Sequence, residues 1–306
     1  MTISDPSATF FGKQVQQYES NSMPEVGGEL VYRLALEYDD DQSMPELIEE
    51  FFAKIDKSRL DALVIGLWGE AYESSAESLL ETLIAHAPEL PNLRALFVGD
   101  ITFEECEISW ITQADYTALL NAMPQLQVLK IRGSQQLAFS PLQHGGLTQL
   151  IIECGGLPSG IAGALAASSL PALTHLELWL GTEDYGFDGD VALYQRMLAG
   201  LQAPNLRYLG LRDAQLADEV AVWLANEPRI ASLETLDLSL GVIGDIGAEA
   251  LFQSSHVRQL DLLDLSHHYI SEAWQQKLRT LSLEVVLDDP QEEDEDYEGR
   301  YVAVGE

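Results

Sequence analysis

Apolar residues recur in the order LxxLxL along most of the chain, and nine copies can be written between Val31 and Leu265. They are Val31, Leu34, Leu36; Leu60, Leu63, Ile65; Leu93, Leu96, Val98; Leu126, Leu129, Ile131; and Leu147, Leu150, Ile152. Four more follow as Leu173, Leu176, Leu178; Leu206, Leu209, Leu211; Leu233, Leu236, Leu238; and Leu260, Leu263, Leu265. Their first residues lie 21 to 33 positions apart. Side chains alternate along a strand, so the second and third leucine of each copy point inward and the residues between them point out. Units of this length, stacked side by side, form a parallel sheet, and the rest of each period returns along the other side.

The returning stretches have a helical period. PELIEEFFAKI, SAESLLETLIAHA, QADYTALLNAM, DVALYQRMLAGL, DEVAVWLA and DIGAEALF each place apolar residues three and four apart. Asp190, Asp218 and Asp245 stand where an N-cap is expected, and Pro91, Pro124, Pro171, Pro204 and Pro228 follow helical stretches shortly before a strand. Local signals and the long period therefore mark the same boundaries. The fold class is α/β, a leucine-rich-repeat solenoid or horseshoe with a parallel concave sheet and convex helices. Residues 30–287 form the repeats, 1–29 an N-terminal cap in which FFGKQVQQYE covers one end, and 288–306 an acidic tail. Its RYVAV ending alternates like a capping strand.

LETLDLSLGVIGDIGAEAL, from Leu233 to Leu251, resembles the longer repeat of the ribonuclease-inhibitor type, in which a capped helix follows each strand. Leu216, Asp218 and Leu224 repeat the spacing of Ile243, Asp245 and Leu251, and Ile270 with Leu278 repeats the outer pair. VGDITFEECEISWITQADYTALL, IIECGGLP, LTHLELWLG and the closing RYVAVGE are similar to an uncharacterised bacterial leucine-rich-repeat family. That resemblance implies an accessory role beside radical-SAM and ATP-grasp enzymes in a small biosynthetic or modification cluster. One departure stands out. Many such repeats carry Asn three residues after the third strand leucine; here those positions hold Trp68, Ile101, Ser134, Gly155, Gly181, Ala214, Gly241 and His268. The three glycines predict turns with positive φ in place of an Asn ladder.

Charge narrows the partners. Fifty Asp and Glu against 16 Lys and Arg give a net charge of −34, which repels nucleic-acid phosphates and anionic lipid headgroups and favours a basic partner. The two cysteines, Cys106 and Cys154, are too few for a disulfide framework and lack zinc-site spacing. No stretch has signal-peptide or membrane-span character, so a cytoplasmic protein is expected.

Outward positions of the middle strands hold Lys130, Arg132, Gln149, Glu153, His175, Glu177 and Trp179, and later strands add Tyr208, Arg212, Asp213, Asp237, Asp264 and His267. Acids, aromatics and scarce basic residues gathered on one sheet have the character of a recognition surface. Trp179 is its expected anchor, with Glu177 and Arg212 for specificity.

Other features have plainer readings. GTEDYGFDGD, with Asp184, Asp188 and Asp190, is an acidic turn ending in an N-cap, against a Ca²⁺ site of unusual spacing. FEECEISWI is an ordered loop pinned by Ile108, Trp110 and Ile111, whose Glu104, Glu105 and Glu107 lack a histidine to complete a metal set. His267 and His268 are adjacent, so one faces the sheet surface and the other takes the turn. GGLPSG reads as a tight turn, and DDPQEEDEDYE as a flexible run. GxSxG, Walker, HExxH and strand-linked GxGxxG motifs are all missing. The expectation is a non-catalytic module that binds a protein or peptide, with no cofactor and no metal. The alternatives are an accessory subunit of a neighbouring modifying enzyme and, third, a cation-dependent enzyme or sensor.

Overall fold

The computed structural model describes residues 3–37, 40–293 and 299–305. Among them, twelve strands form one sheet in strict chain order. They are β1 (Thr9–Phe10), β2 (Lys13–Gln17), β3 (Leu30–Leu34), β4 (Ala62–Ile65), β5 (Ala95–Val98), β6 (Val128–Arg132), β7 (Gln149–Glu153) and β8 (His175–Gly181). The remaining four are β9 (Tyr208–Ala214), β10 (Thr235–Asp237), β11 (Leu262–Asp264) and β12 (Glu284–Val286). β1 is antiparallel to β2, and every later neighbour is parallel. Among the described residues, eight α-helices lie between the strands: α1 (Met44–Lys54), α2 (Glu77–His86), α3 (Thr117–Ala122), α4 (Ser159–Ala166), α5 (Val191–Gly200), α6 (Ala217–Leu224), α7 (Asp245–Gln253) and α8 (Glu272–Leu278). A sequential parallel sheet with helical returns is compatible with a solenoid.

The register confirms the leucine spacing in all but the first copy. Leu63, Leu96, Leu129, Leu150, Leu176, Leu209, Leu236 and Leu263 lie side by side across eight strands, each fully buried or nearly so. They form one core with helix residues such as Phe51, Leu83, Leu120, Leu165, Leu198 and Leu251. Each such side chain contributes about 1.5–3 kcal/mol by leaving water. In the first repeat, however, Tyr32 pairs with Leu63 and Leu34 with Ile65. The written copy Val31, Leu34, Leu36 is therefore two residues out of step. Val31 instead faces the other side of the sheet, in a separate apolar cluster with Val64 and Phe97.

Two helices, α4 and α8, were not predicted from the pattern. SGIAGALA has too many small residues to show a clear apolar stripe, yet those residues permit close packing. A Cβ on Gly200 of α5 would come within 2.2 Å of the Ala166 carbonyl. Capping also works differently from the expectation. Asp190 caps α5 by accepting from Leu193 N–H, but Asp218 lies inside the first turn of α6 and accepts from Gly244 and Gly247 of the following repeat. Asp245 likewise accepts from Ser271 N–H, at the start of α8. These aspartates tie each helix start to the next one.

The glycine expectation fails at two of three positions. Only Gly181 has positive φ; Gly155 and Gly241 are instead sites of close approach, where a Cβ would meet Ser109 Oγ at 2.3 Å and Ala214 O at 2.8 Å. The left-handed residue sits one position earlier in several turns: Gly133 with φ 97°, Asp213 with 53°, Leu240 with 67° and His267 with 58°. His268 takes the task Asn performs elsewhere, accepting from Ile270 N–H through Nδ1 and placing Nε2 3.4 Å from the Leu287 carbonyl.

Candidate functional site

The sheet face turned away from the helices, here the outer face, changes character along the array. On β3 to β6 it carries Val31, Ala62, Val64, Ala95, Phe97 and Val128, buried together with Phe10. The Phe10 and Phe97 rings lie 5.9 Å apart. Phe11 and Val15 pack against the same cluster, and residues before β1 run on to the turn after β5, where Ser7 donates through N–H and hydroxyl to Asp100 and Phe103 N–H donates to the Ile3 carbonyl. The N-terminal segment thus covers the apolar half. Lys130 and Arg132 lie over the Phe97 ring, at 4.6 and 5.2 Å, and complete the seal.

These cations belong to a chain of buried and partly buried charges. Arg132 pairs with Glu153 at 2.9 Å, Lys130 with Glu153 at 2.7 Å and Arg33 with Asp100 at 3.2 Å. Glu105 accepts from Thr102 and pairs with Arg33, so it serves the loop's own geometry. In the same loop Ile108 and Ile111 are buried as expected, but Trp110 is 55% exposed and pins nothing. The acidic turn after β8 divides its aspartates: Asp188 accepts from Ser159 N–H and hydroxyl, and Asp190 caps α5.

Next to this sealed half stands a second cluster, built on β8, β9 and β10. Its centre is Glu177. One oxygen accepts from the Trp179 indole N–H at 2.9 Å and from Arg212 at 2.8 Å; the other lies 3.3 Å from the Tyr208 hydroxyl and 3.4 Å from His175 Nε2. Tyr208 donates to Asp237 at 2.6 Å, and Arg212 reaches Asp237 at 3.3 Å and Ser239 Oγ at 2.9 Å. The His175 and Tyr208 rings stack at 3.8 Å with planes 7° apart. Gly210, level with Glu177 and Asp237, makes this possible, because a Cβ there would press on the Tyr208 ring at 3.1 Å and on Glu177 at 3.2 Å.

The electrostatics follow from this wiring. Burial alone would raise the Glu177 carboxyl, but hydrogen bonding from His175 and the Arg212 charge bring it down to about 2. Burial works against the Arg212 charge, yet Asp237 and Glu177 hold its guanidinium above its ordinary value. Burial and the adjacent carboxylates raise the Tyr208 hydroxyl, so it remains a donor. On the outer face, His175, Tyr208, Arg212, Lys130, Gln149, Thr235 and Asp264 remain partly exposed, whereas Arg132, Glu153, Glu177, Asp237 and His267 are buried.

Trp179 is 6% exposed, covered by Ala303 and Val304 together with Ile108 and Leu240. Asp213 is fully buried; Oδ1 accepts from Val304 N–H at 2.9 Å while Oδ2 has no partner, and burial pushes its carboxyl up to about 8. Asp264 turns back on its own strand end, accepting from Ser266 N–H and hydroxyl. His267 lies between Asp289 and the Tyr301 carbonyl. The predicted surface residues therefore separate into an accessible group and a group occupied by other parts of the chain. Sequence reasoning missed Phe97, Arg33, Asp100, Gly210 and Ser239. The apolar runs ALVI and ALFV carried a usable signal, since a strand apolar at every position is covered on both faces.

Neither cysteine is poised for nucleophilic chemistry. Burial pushes the Cys154 thiol up to about 12 and the Cys106 thiol up to about 11. Among the described residues, no group of three or more His, Cys, Asp or Glu side chains could hold a metal ion, and no helix is long and apolar enough to cross a membrane. On the helix side, a groove of about 870 Å³ runs between α5, α6 and α7, lined in part by Val222, Trp223, Ile246 and Arg300.

A sequential, almost wholly parallel sheet whose leucines align from strand to strand defines the protein as an α/β repeat protein. The same fold occurs in the crystal structure of a protein from Bacteroides fragilis, with 30% sequence identity, a TM-score of 0.82, and coverage of 90% of this chain and 77% of that one. The chain belongs to the same family as that Bacteroides fragilis protein. An internalin from Listeria monocytogenes aligns over 86% of this chain and 87% of its own at 14% identity, but with a TM-score of 0.25 that carries no argument. No family model matches the sequence, and no curated protein does.

Proposed function

We propose that the chain is a non-catalytic interaction module: a curved solenoid whose outer sheet face is the concave surface, with the helices on the convex side, binding a protein or peptide in a reducing cytoplasm. The observation that carries this reading is the cluster of His175, Glu177, Tyr208, Arg212 and Asp237. Its aromatic and charged groups are held in place by one another, yet His175, Tyr208 and Arg212 keep part of their surface in solvent. Such groups lose little conformational freedom on binding, which favours recognition. Glu177, Asp237 and Asp264 outnumber Arg212 locally, and the chain as a whole carries −34, so the favoured partner presents basic side chains. The high thiol pKa values add support for a non-catalytic role.

Gln149, His175, Tyr208 and Thr235 lie in one row across β7 to β10. Arginine at both ends, Gln149→Arg with Thr235→Arg, obstructs the row without removing any member of the cluster. Affinity capture from the native cell extract should lose the partners recovered with the unaltered chain. Recovery of the same partners in the same amounts sinks the proposal.

A further inference from the structure

Residues 300–305 cross the turns that follow the last strands, running opposite to the direction in which the repeats advance. Arg300 pairs with Asp218 at 3.4 Å and reaches the Val242 carbonyl. The Tyr301 carbonyl lies 3.2 Å from His267 Nε2, Ala303 N–H donates to the Leu240 carbonyl at 2.8 Å, and Val304 N–H donates to Asp213 Oδ1 at 2.9 Å. Farther along, the Ser109 hydroxyl donates to the Gly305 carbonyl at 2.9 Å. Asp213, Leu240 and His267 are thus one contact per repeat, in three successive turns, and each is a non-glycine residue with left-handed φ. Backbone strain of this kind persists where the surroundings require it and gathers at binding sites and clamps. Ala303 and Val304 also cover Trp179, Ile108 and Leu240.

We propose that these three turns, with Trp179 and Ile108, form a binding cradle for an extended peptide, and that residues 300–305 fill it as a built-in competitor. The ligand it fits is an extended segment of a partner protein with two consecutive small aliphatic residues, as Ala303 and Val304 are arranged. Backbone N–H groups of the ligand would meet Leu240 and Asp213, and its aliphatic side chains would lie on Trp179. This inference rests on the peptide-binding reading above but concerns the turn edge at the strand ends, separated from the His175–Tyr208 row by the Glu177 and Trp179 steps of the sheet.

The test uses the full chain carrying Ala303→Arg, which forces the segment off Trp179, and separately Val304→Pro, which removes the N–H that Asp213 accepts. The probe is a fluorescein-labelled peptide of the sequence RYVAVG, followed by fluorescence anisotropy. Either variant, with the far-ultraviolet circular dichroism of the unaltered chain, should bind the peptide at least tenfold more tightly than the unaltered chain does. Adding Asp213→Ala should abolish the gain. Gln149→Arg with Thr235→Arg should leave it intact, which separates failure of the cradle from failure of the surface row. Equal binding by all forms, or loss of the fold in both variants, overturns the proposal, the latter because the segment would then be an inseparable part of the core.

Discussion

Across β3 to β6 the outer face carries Val31, Val64, Ala95 and Phe97 beneath the chain's own N-terminal segment, whereas across β8 to β10 the corresponding face carries His175, Glu177, Tyr208, Arg212 and Asp237. The backbone is the same in both halves, with the same parallel register and the same inward leucines. What differs is how the face is kept stable. The apolar half excludes water with a covering segment and two cations over Phe97; the polar half leaves an edge open and matches its charges internally. A repeat scaffold can therefore bury one stretch of its sheet and display another with little change in its core.

This contrast can be broken from either side. The largest effect is expected in the sealed half: Phe97 is fully buried, so Phe97→Ala should lower stability by about 3–5 kcal/mol, read from urea unfolding. A loss under 1 kcal/mol would show that the covering segment is not packed on the face. In the open half, Arg212→Ala leaves Glu177 and Asp237 buried without their cation. About 2–4 kcal/mol should be lost, less than a fully buried pair because Arg212 retains some solvent. If Arg212→Lys restores most of that loss, charge alone suffices; if not, the two-pronged contact to Glu177 and Asp237 is what matters.

A smaller effect separates two carboxylates of the second half. Glu177 has a folded pKa of about 2, below the unfolded value, so its contribution is present above about pH 4.3 and is lost as pH falls towards 2. Asp213 has a folded pKa of about 8, above the unfolded value. The Val304 N–H, the Arg212 charge and the Ala303 N–H act against its burial without offsetting it. Its linkage has the opposite sign: the protein loses stability as pH rises from about 4 to 8. Urea midpoints measured across pH should show Glu177→Gln flattening the acid limb and Asp213→Asn flattening the slope from 4 to 8. The reverse pattern would mean that the two environments are misassigned.

Much of this molecule was legible in the leucines. Their spacing predicted eight of the nine strand registers, because a core ladder demands the same residue type at the same step of every unit. The first copy slipped because Tyr32 stands where a leucine is expected and Val31 offers a misleading match on the opposite face. Turn chemistry was less legible. Asp213, Leu240 and His267 adopt φ values normally given to glycine, and the segment that occupies those turns is distant in sequence. Trp179 was legible as a large outward side chain. That Ala303 and Val304 cover it was not, since no periodic signal links residues so far apart. The Glu177 cluster lay between these extremes: its members alternate correctly along their strands, but their mutual pairing depends on Gly210 giving Tyr208 room to lie flat.

The most direct test of the division into sealed and open halves is hydroxyl-radical footprinting of the unaltered chain, with side-chain oxidation rates read by mass spectrometry. Trp110 at 55% and Tyr301 at 56% exposure supply the fully reactive reference within the same molecule. Phe10, Phe97 and Trp179 should be strongly protected, while Tyr208 and His175 should react at intermediate rates and become protected when a captured partner is bound. Oxidation of Phe10 and Phe97 as fast as Trp110 would contradict the division, because the N-terminal covering segment would then be absent from the face in solution.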